Sequence, residues 1–256
     1  MLEGLYAGSI ADAATREQQA SAAELESLIA ARTEWIDAKI ALAPREQIHI
    51  LAEVKRASPS RGDLAEIADP VALATTYAQS GASAISVLTE ERKFKGSVTD
   101  LRRVSAAVNV PVLRKDFIAN EYQLLEAAAY GADIFLLIVA GLTQSELKRL
   151  MSFGESLGMT AFIETHSEEE VVRALELDAK LVGVNARDLS TFETDRDLFG
   201  RLVHLFPSDV IKVAESAVRN ALDIRHYRDA GADVALVGEA LVTSDPRQSM
   251  REFLSV

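Results

Sequence analysis

Hydrophobic and polar positions along the chain repeat one unit. A helical pattern closes on Gly-Ala or its equivalent, a polar residue follows, and a short β-branched or Leu-rich run begins. The unit stands at SGASAISVL, YGADIFLLI, ELDAKLVGV and AGADVALVG. Gly81, Gly131 and Gly231 provide a residue free to take positive φ at a helix C-terminus, and the unbroken apolar runs suit strands covered on both faces. Runs of this kind near 48–54, 84–89, 110–114, 134–139, 159–163, 181–185, 211–214 and 234–238 predict eight strands separated by helices. That alternation, at spacings of roughly 25 to 35 residues, predicts an α/β fold: a closed parallel (β/α)8 TIM barrel. An open doubly wound sheet is the rival, but it would commonly carry G-x-G-x-x-G after its first strand, where this chain reads Glu-Val-Lys-Arg-Ala-Ser-Pro-Ser. Residues 15–43 look helical, with Leu25, Leu28, Ile29, Trp35 and Ile36 at mixed three- and four-residue spacings, which predicts one extra helix ahead of the barrel.

The length of 256 residues fits one barrel and would also permit two smaller domains. No Pro/Gly/Ser-rich linker interrupts the chain, so the expectation is one domain over 1–256, with 1–44 as a helical extension and 45–256 as the barrel. A net charge of -12 argues against a nucleic-acid surface or an anionic membrane partner, so an anionic ligand must be drawn by local positive charge. Without cysteine there is no disulfide, thiolate nucleophile or cysteine-ligated zinc. The longest apolar stretch, Ile134 to Leu142, is far short of the roughly 20 residues that cross a bilayer. The opening residues lack a basic leader followed by an apolar region, and the expected location is cytoplasmic.

Barrel active sites lie at the C-terminal ends of the strands. Here those ends carry Glu53 and Lys55, Thr89-Glu90, Arg114-Lys115-Asp116, Glu164, Asn185 with Arg187 beyond, Glu215-Ser216, and Gly238. Residues two apart on a strand share a face. Leu51, Glu53 and Lys55 form one such series, as do Leu113 and Lys115, Phe162 and Glu164, Gly183 and Asn185, Val213 and Glu215, and Leu236 and Gly238. These series are expected to point into the barrel. A single member also fits a capping or surface position, but two lysines and three glutamates converging would be costly to desolvate in a mere scaffold.

Barrels commonly grip phosphate with the loops after strands seven and eight. Ser216 offers a hydroxyl there, Gly238 allows close backbone approach, and Arg187 and Ser58 could reach in from the loops after strands six and one. Taken separately, Ser216 also fits an N-cap and Gly238 a helix-entry glycine.

The segment Ala52-Glu53-Val54-Lys55-Arg56-Ala57-Ser58-Pro59-Ser60-Arg61-Gly62 resembles the strand-one signature of the indole-3-glycerol-phosphate synthases. The likeness continues through LTEERKFKGS, LRKDFI, YQLLEAAAYGADIFLLI, FIETH, GVNARDL and AES, covering nearly all of 45–245 and only loosely what precedes it. It implies cyclisation of 1-(2-carboxyphenylamino)-1-deoxyribulose 5-phosphate to indole-3-glycerol phosphate with loss of CO2 and water. No cofactor or metal is implied, and a monomer or weak dimer is expected. Carried over by position, the active-site groups are Glu53, Lys55, Lys115, Glu164, Asn185 and Glu215. Phosphate contacts fall on Ser58, Arg187, Ser216, Gly238 and Glu239, and the ring pocket on Pro59, Phe94, Phe117, Leu136 and Phe192.

In that chemistry an aromatic carbon adds to a ketone, whose oxygen must gain a proton, and a lysine ammonium suits this. Lys115 is assigned that step. Lys55 is assigned the substrate carboxylate and is a candidate donor when the hydroxyl leaves, while Glu164 or Glu53 is the base. Phe94 and Phe117 would surround the departing carboxylate with apolar surface, although both also fit core or lid packing. Two positions depart from the family: Ala217 stands where Gly is usual, which is strained if its φ is positive, and Phe192 is larger than the common leucine. Competing readings are another phosphate-binding barrel, such as phosphoribosylanthranilate isomerase, whose chemistry relies on a cysteine base absent here, and a non-catalytic phosphate-binding barrel.

Overall fold

The computed structural model describes residues 2–189 and 191–256. Eight parallel strands close into a barrel: β1 (His49–Val54), β2 (Ala84–Leu88), β3 (Val112–Lys115), β4 (Ile134–Ile138), β5 (Thr160–Thr165), β6 (Leu181–Asn185), β7 (Ile211–Glu215) and β8 (Val234–Val237). Each strand pairs with its neighbours in sequence, and β1 closes the ring by pairing Leu51 with both Ala84 of β2 and Leu236 of β8. The strands are buried almost throughout, as their unbroken apolar runs require. The predicted junctions are present: Gly81, Gly131 and Gly231 have φ of 97°, 91° and 96°. In ELDAKLVGV, which lacks the glycine, Asp178 takes the same left-handed conformation at φ 59°.

Two strand limits differ from the pattern by enough to matter. The third run, expected at 110–114, begins only at Val112, after Pro111 has given its carbonyl to the Ile85 N–H, and ends on Lys115. The fifth, expected at 159–163, continues through Glu164 to Thr165, with Glu164 in register between Ile138 and Gly183. Lys115 and Glu164 therefore sit on ladder backbone and not on loops.

The single helix expected over 15–43 is instead three: α1 (Leu2–Glu17), α2 (Ala22–Ala31) and α3 (Ala38–Ala41). Ser21 and Glu24 form a capping box that starts α2 afresh. Beyond α2, Arg32 places its guanidinium 3.7 Å over the Trp35 ring and donates to Ala132 O at 2.8 Å and Asp133 Oδ1 at 2.5 Å. Asp37 then caps α3 by accepting from Lys39 N–H at 2.8 Å. The mixed spacing in the sequence thus reflects separate helices with different buried faces.

The remaining helices cover the barrel: α4 (Pro70–Gln79), α5 (Val98–Ser105), α6 (Glu121–Ala129), α7 (Gln144–Ser156), α8 (Glu168–Leu175), α9 (Leu198–Leu202), α10 (Ala221–Asp229), α11 (Glu239–Val242) and α12 (Pro246–Phe253). Helix α2 packs on α6, Leu25 joining Tyr122 and Leu125 in a cluster outside the main core. After β1 the chain makes a small antiparallel hairpin, pairing Ala57–Ser58 with Gly62–Asp63. No helix among the described residues is long and apolar enough to cross a membrane.

Candidate active site

One cleft opens at the C-terminal end of the barrel, and all sixteen residues singled out from the sequence line it. Because side chains alternate along a strand, the inward series deliver their polar members to this end together.

At its floor Lys115 Nζ donates to Glu164 Oε2 at 2.9 Å and to Glu215 Oε2 at 3.2 Å. Burial disfavours the ammonium, but Glu164, Glu215 and Glu53 outweigh it and hold Lys115 above the usual lysine range. Glu164 responds in kind: burial alone would raise it, yet Lys115 and His166 keep it well below the carboxylate range. Glu215 goes the other way. Burial and the Glu164 charge push it up to about 8, and its Oε1 is buried with no hydrogen-bond partner among the described residues. The opposite shifts of the two adjacent carboxyls favour a state in which Glu164 is ionised and Glu215 carries the proton. Asn185 Nδ2 donates to Glu164 Oε1 at 3.1 Å, while its Oδ1 accepts from Ser216 Oγ at 2.8 Å and from the Arg187 N–H at 3.0 Å. Asn185 thus links the carboxylates to the strand-seven loop.

On the β1 side Lys55 Nζ lies 2.7 Å from Glu53 Oε1. Gly238 is packed against this pair: a Cβ there would stand 2.4 Å from Glu53 Oε1 and 3.0 Å from Lys55 Nζ. The glycine is required by close approach and not by an unusual φ, which is -117°.

Ser58, Arg187, Ser216, Gly238 and Glu239, the residues expected at a phosphate, all line the cleft. Ser216 and Ala217 both take left-handed conformations, φ 67° and 56°, so the strain expected for alanine in a glycine position is present. Arg187 Nη1 donates to Phe192 O at 3.1 Å, and the Glu239 carboxylate accepts from Arg61 at 2.5 Å across the mouth. With its side chain so engaged, Glu239 can offer an anion only its backbone.

The cleft also has an apolar lining. Phe94 and Phe117 are 6.1 Å apart between ring centroids, and Phe117 meets Tyr6 of α1 edge-on at 5.6 Å. Phe94 is held by Glu90, whose buried carboxylate accepts the backbone N–H groups of Arg92, Lys93 and Phe94 at 3.1, 2.7 and 2.8 Å. Glu90, a polar strand end in the sequence, therefore organises its loop. Phe192 also carries a left-handed φ of 63°, which nothing in its residue type announces.

Three contributions escape sequence reasoning. Leu2 and Leu5 of α1 line the cleft, although that segment matches the family only loosely by eye. Arg114, fully buried behind Lys115, donates to Thr89 Oγ1, Asp116 Oδ2, Gln123 O and Glu126 Oε2. Asp116 also accepts from Ser9 Oγ of α1 at 2.5 Å, and Glu126 is held by Arg16 at 2.6 Å, so α1 is tied into the same network. Third is His166, two residues past Glu164. The parity argument, carried one step further along Phe162 and Glu164, would have found it. Among the described residues no group of three or more His, Cys, Asp or Glu side chains is arranged to hold a metal.

Comparison with solved structures relates the barrel to N-acetylmannosamine-6-phosphate 2-epimerase from Clostridium perfringens, with TM-score 0.63 and 15% identity over 88% of this chain and 99% of that one. Thiamine phosphate pyrophosphorylase from Pyrococcus furiosus aligns with TM-score 0.60 and 14% identity over 81% of this chain and 94% of that one. At such identities these likenesses concern the fold. In sequence, the chain is 58% identical to indole-3-glycerol phosphate synthase of Leifsonia xyli subsp. xyli, covering 100% of this chain and 98% of the relative. It is 53% identical to the enzyme of that name from Mycolicibacterium gilvum, covering 100% and 94%. A family model described as indole-3-glycerol phosphate synthase matches residues 2–253, taking in the N-terminal helices as well as the barrel. With strand ends, cleft and full-length likeness in agreement, the chain belongs to the indole-3-glycerol phosphate synthase family.

Proposed function

We propose that this cleft cyclises 1-(2-carboxyphenylamino)-1-deoxyribulose 5-phosphate to indole-3-glycerol phosphate, releasing CO2 and water. The observation that carries the reading is Lys115, an ammonium between two buried carboxyls in a cleft lined by both aromatic rings and polar loop residues. The aromatic carbon bearing the carboxylate attacks the ketone carbon, and the carbonyl oxygen takes its proton from Lys115. The C–CO2 bond then breaks and its electron pair restores the aromatic ring, beside Phe94 and Phe117, which solvate a carboxylate poorly. In the last step the hydroxyl leaves as water with a proton from Lys55, and Glu164 or Glu53 removes a proton from the methylene carbon next to nitrogen. Asn185 and Glu215 hold this arrangement. Arg187, Ser58, Ser216 and the backbone at Gly238 and Glu239 take the phosphate, and Pro59, Leu136 and Phe192 complete the ring pocket.

On this reading the protein is one folding unit that works as a cytoplasmic monomer or weak dimer, without nucleic-acid or membrane partners. The test is to supply the substrate to purified protein and follow indole fluorescence. Lys115→Ala should remove most of kcat, by about 100-fold or more, while substrate binding survives. Near-normal turnover in that variant would sink the assignment.

A further inference from the structure

His166 is a buried titratable group that the proposed chemistry does not use. It follows Glu164 at the top of β5, with 12% of its side chain exposed. Its Nε2 lies 3.3 Å from Glu164 Oε1, within ion-pair distance though without hydrogen-bond alignment, and its Nδ1 lies 3.1 Å from Glu170 Oε2. That same Glu170 oxygen accepts the His166 backbone N–H at 2.7 Å, so one carboxylate anchors both the backbone and the Nδ1 edge of the ring and leaves Nε2 facing Glu164. A neutral imidazole carries a proton on one nitrogen only and would turn a lone pair toward one of these carboxylates. Only the imidazolium donates toward both.

The consequence reaches the carboxyl pair. Glu164 and Glu215 share the single ammonium of Lys115. A second cation placed beside Glu164 alone breaks the tie between them. We propose that His166, clamped as an imidazolium between Glu164 and Glu170, is a positioning residue that keeps Glu164 ionised and leaves the pair's proton on Glu215. The proposal rests on the reading of Glu164 as a base. The groups around the unit agree with it: Lys115 from β3 pairs with Glu164 and Glu170 from α8 with His166, Glu215 from β7 is the competing carboxyl, and Glu53 from β1 lies beyond Lys115. Tyr6 from α1 approaches as a neutral phenol, raised by burial and by Glu164. Burial lowers the His166 pKa, but the carboxylates of Glu164 and Glu170 outweigh it and bring it up to about 10.

The experiment pairs spectroscopy with kinetics. In 15N-histidine spectra of the parent, the signal identified by its loss in His166→Asn should be that of a doubly protonated ring at pH 8. Across about pH 5.5 to 9, His166→Asn should move the acidic limb of the kcat profile upward by roughly one unit and lower kcat at pH 7 by about tenfold, with KM within about threefold. Glu170→Gln should do the same to a smaller degree. His166→Gln, which restores a hydrogen bond without the charge, should not rescue. A neutral ring in the parent at pH 8, an acidic limb unmoved in His166→Asn, or full rescue by His166→Gln each overturns the proposal. Should the variants fold poorly, the His166 ring signal assigned in the parent through its bonded correlation to the His166 backbone resonances decides the same question. Turnover surviving in Glu164→Gln would sink the base assignment while leaving that spectrum intact, so the two failures are distinguishable.

Discussion

Gly238→Ala tests packing beside the reacting groups, because φ at this position, -117°, is outside the left-handed region that favours glycine while the space for a Cβ is already taken. The new Cβ would meet Glu53 Oε1 at 2.4 Å, Lys55 Nζ at 3.0 Å and Lys55 Cε at 3.1 Å. Ordinary nonbonded contact begins near 3.5 Å, so the carboxylate must retreat by about 1 Å. That retreat disrupts the 2.7 Å pairing of Glu53 with Lys55 and displaces the lysine assigned to the substrate carboxylate. Displacements of this size cost up to about 100-fold in rate, equivalent to about 2.7 kcal/mol of barrier. The expected outcome is a 10- to 100-fold fall in kcat/KM on these grounds, with an overpacking cost of about 1–3 kcal/mol in stability. For a chain of this size that lowers Tm by about 2–12 °C. Fluorescence-monitored kinetics and a thermal melt on the same preparation check both. A variant with kcat/KM within twofold of the parent would show that Glu53 and Lys55 are not held where the reaction needs them.

Ala217→Gly should remove the cost of a left-handed alanine, about 1–2 kcal/mol, and add about 0.4–1 kcal/mol of unfolded-chain entropy. The expected net effect is stabilisation of up to about 1 kcal/mol by denaturant unfolding, and a clear loss of stability would contradict the strain. Glu215→Gln should change the pH dependence of stability. Glu215 is raised in the fold to about 8, so its contribution is most favourable below the unfolded carboxyl range and is lost as pH rises through the window from about 4.5 to 8. The variant should therefore gain on the parent between pH 5 and 8, by an amount on the order of a few kcal/mol. A difference that stays constant over that range would mean that Glu215 does not titrate there.

The barrel was legible because parallel strands covered on both faces must be apolar without interruption, and because helix C-termini need residues that tolerate positive φ. Even the junction without glycine obeyed this, with Asp178 in the left-handed role. The inward groups were legible through side-chain parity, which brought Lys115, Glu164 and Glu215 to one end before any contact was known. Pairings between distant positions were not. Ser9 and Asp116 are 107 residues apart, and no periodicity connects them. Helix α1 falls within the extension expected to be helical at 1–44, but its docking on the barrel was not legible, because its buried positions include Gly8, Ser9 and Ala13, small residues that write no apolar stripe.

Helix α1 nonetheless follows from the charges beneath the site. Lys115 stands between Arg114 and Asp116, so a strand that turns a lysine inward necessarily turns its neighbours outward, against α6. A fully buried guanidinium is tolerable only with its donors paired, and leaving such a charge uncompensated costs about 3–5 kcal/mol. Asp116 and Glu126 provide that pairing, but each brings a further buried charge with oxygens to satisfy. Within the barrel Thr89 Oγ1 donates to Asp116 Oδ2 and the Phe117 N–H to Asp116 Oδ1. Further donors come from outside the eightfold repeat, Ser9 on Asp116 and Arg16 on Glu126, both from α1. The same helix places Leu2 and Leu5 in the cleft and Tyr6 on Phe117. The helix that closes the apolar wall thus also completes the electrostatics behind Lys115, and the barrel's reactive end is finished only when this ninth element docks.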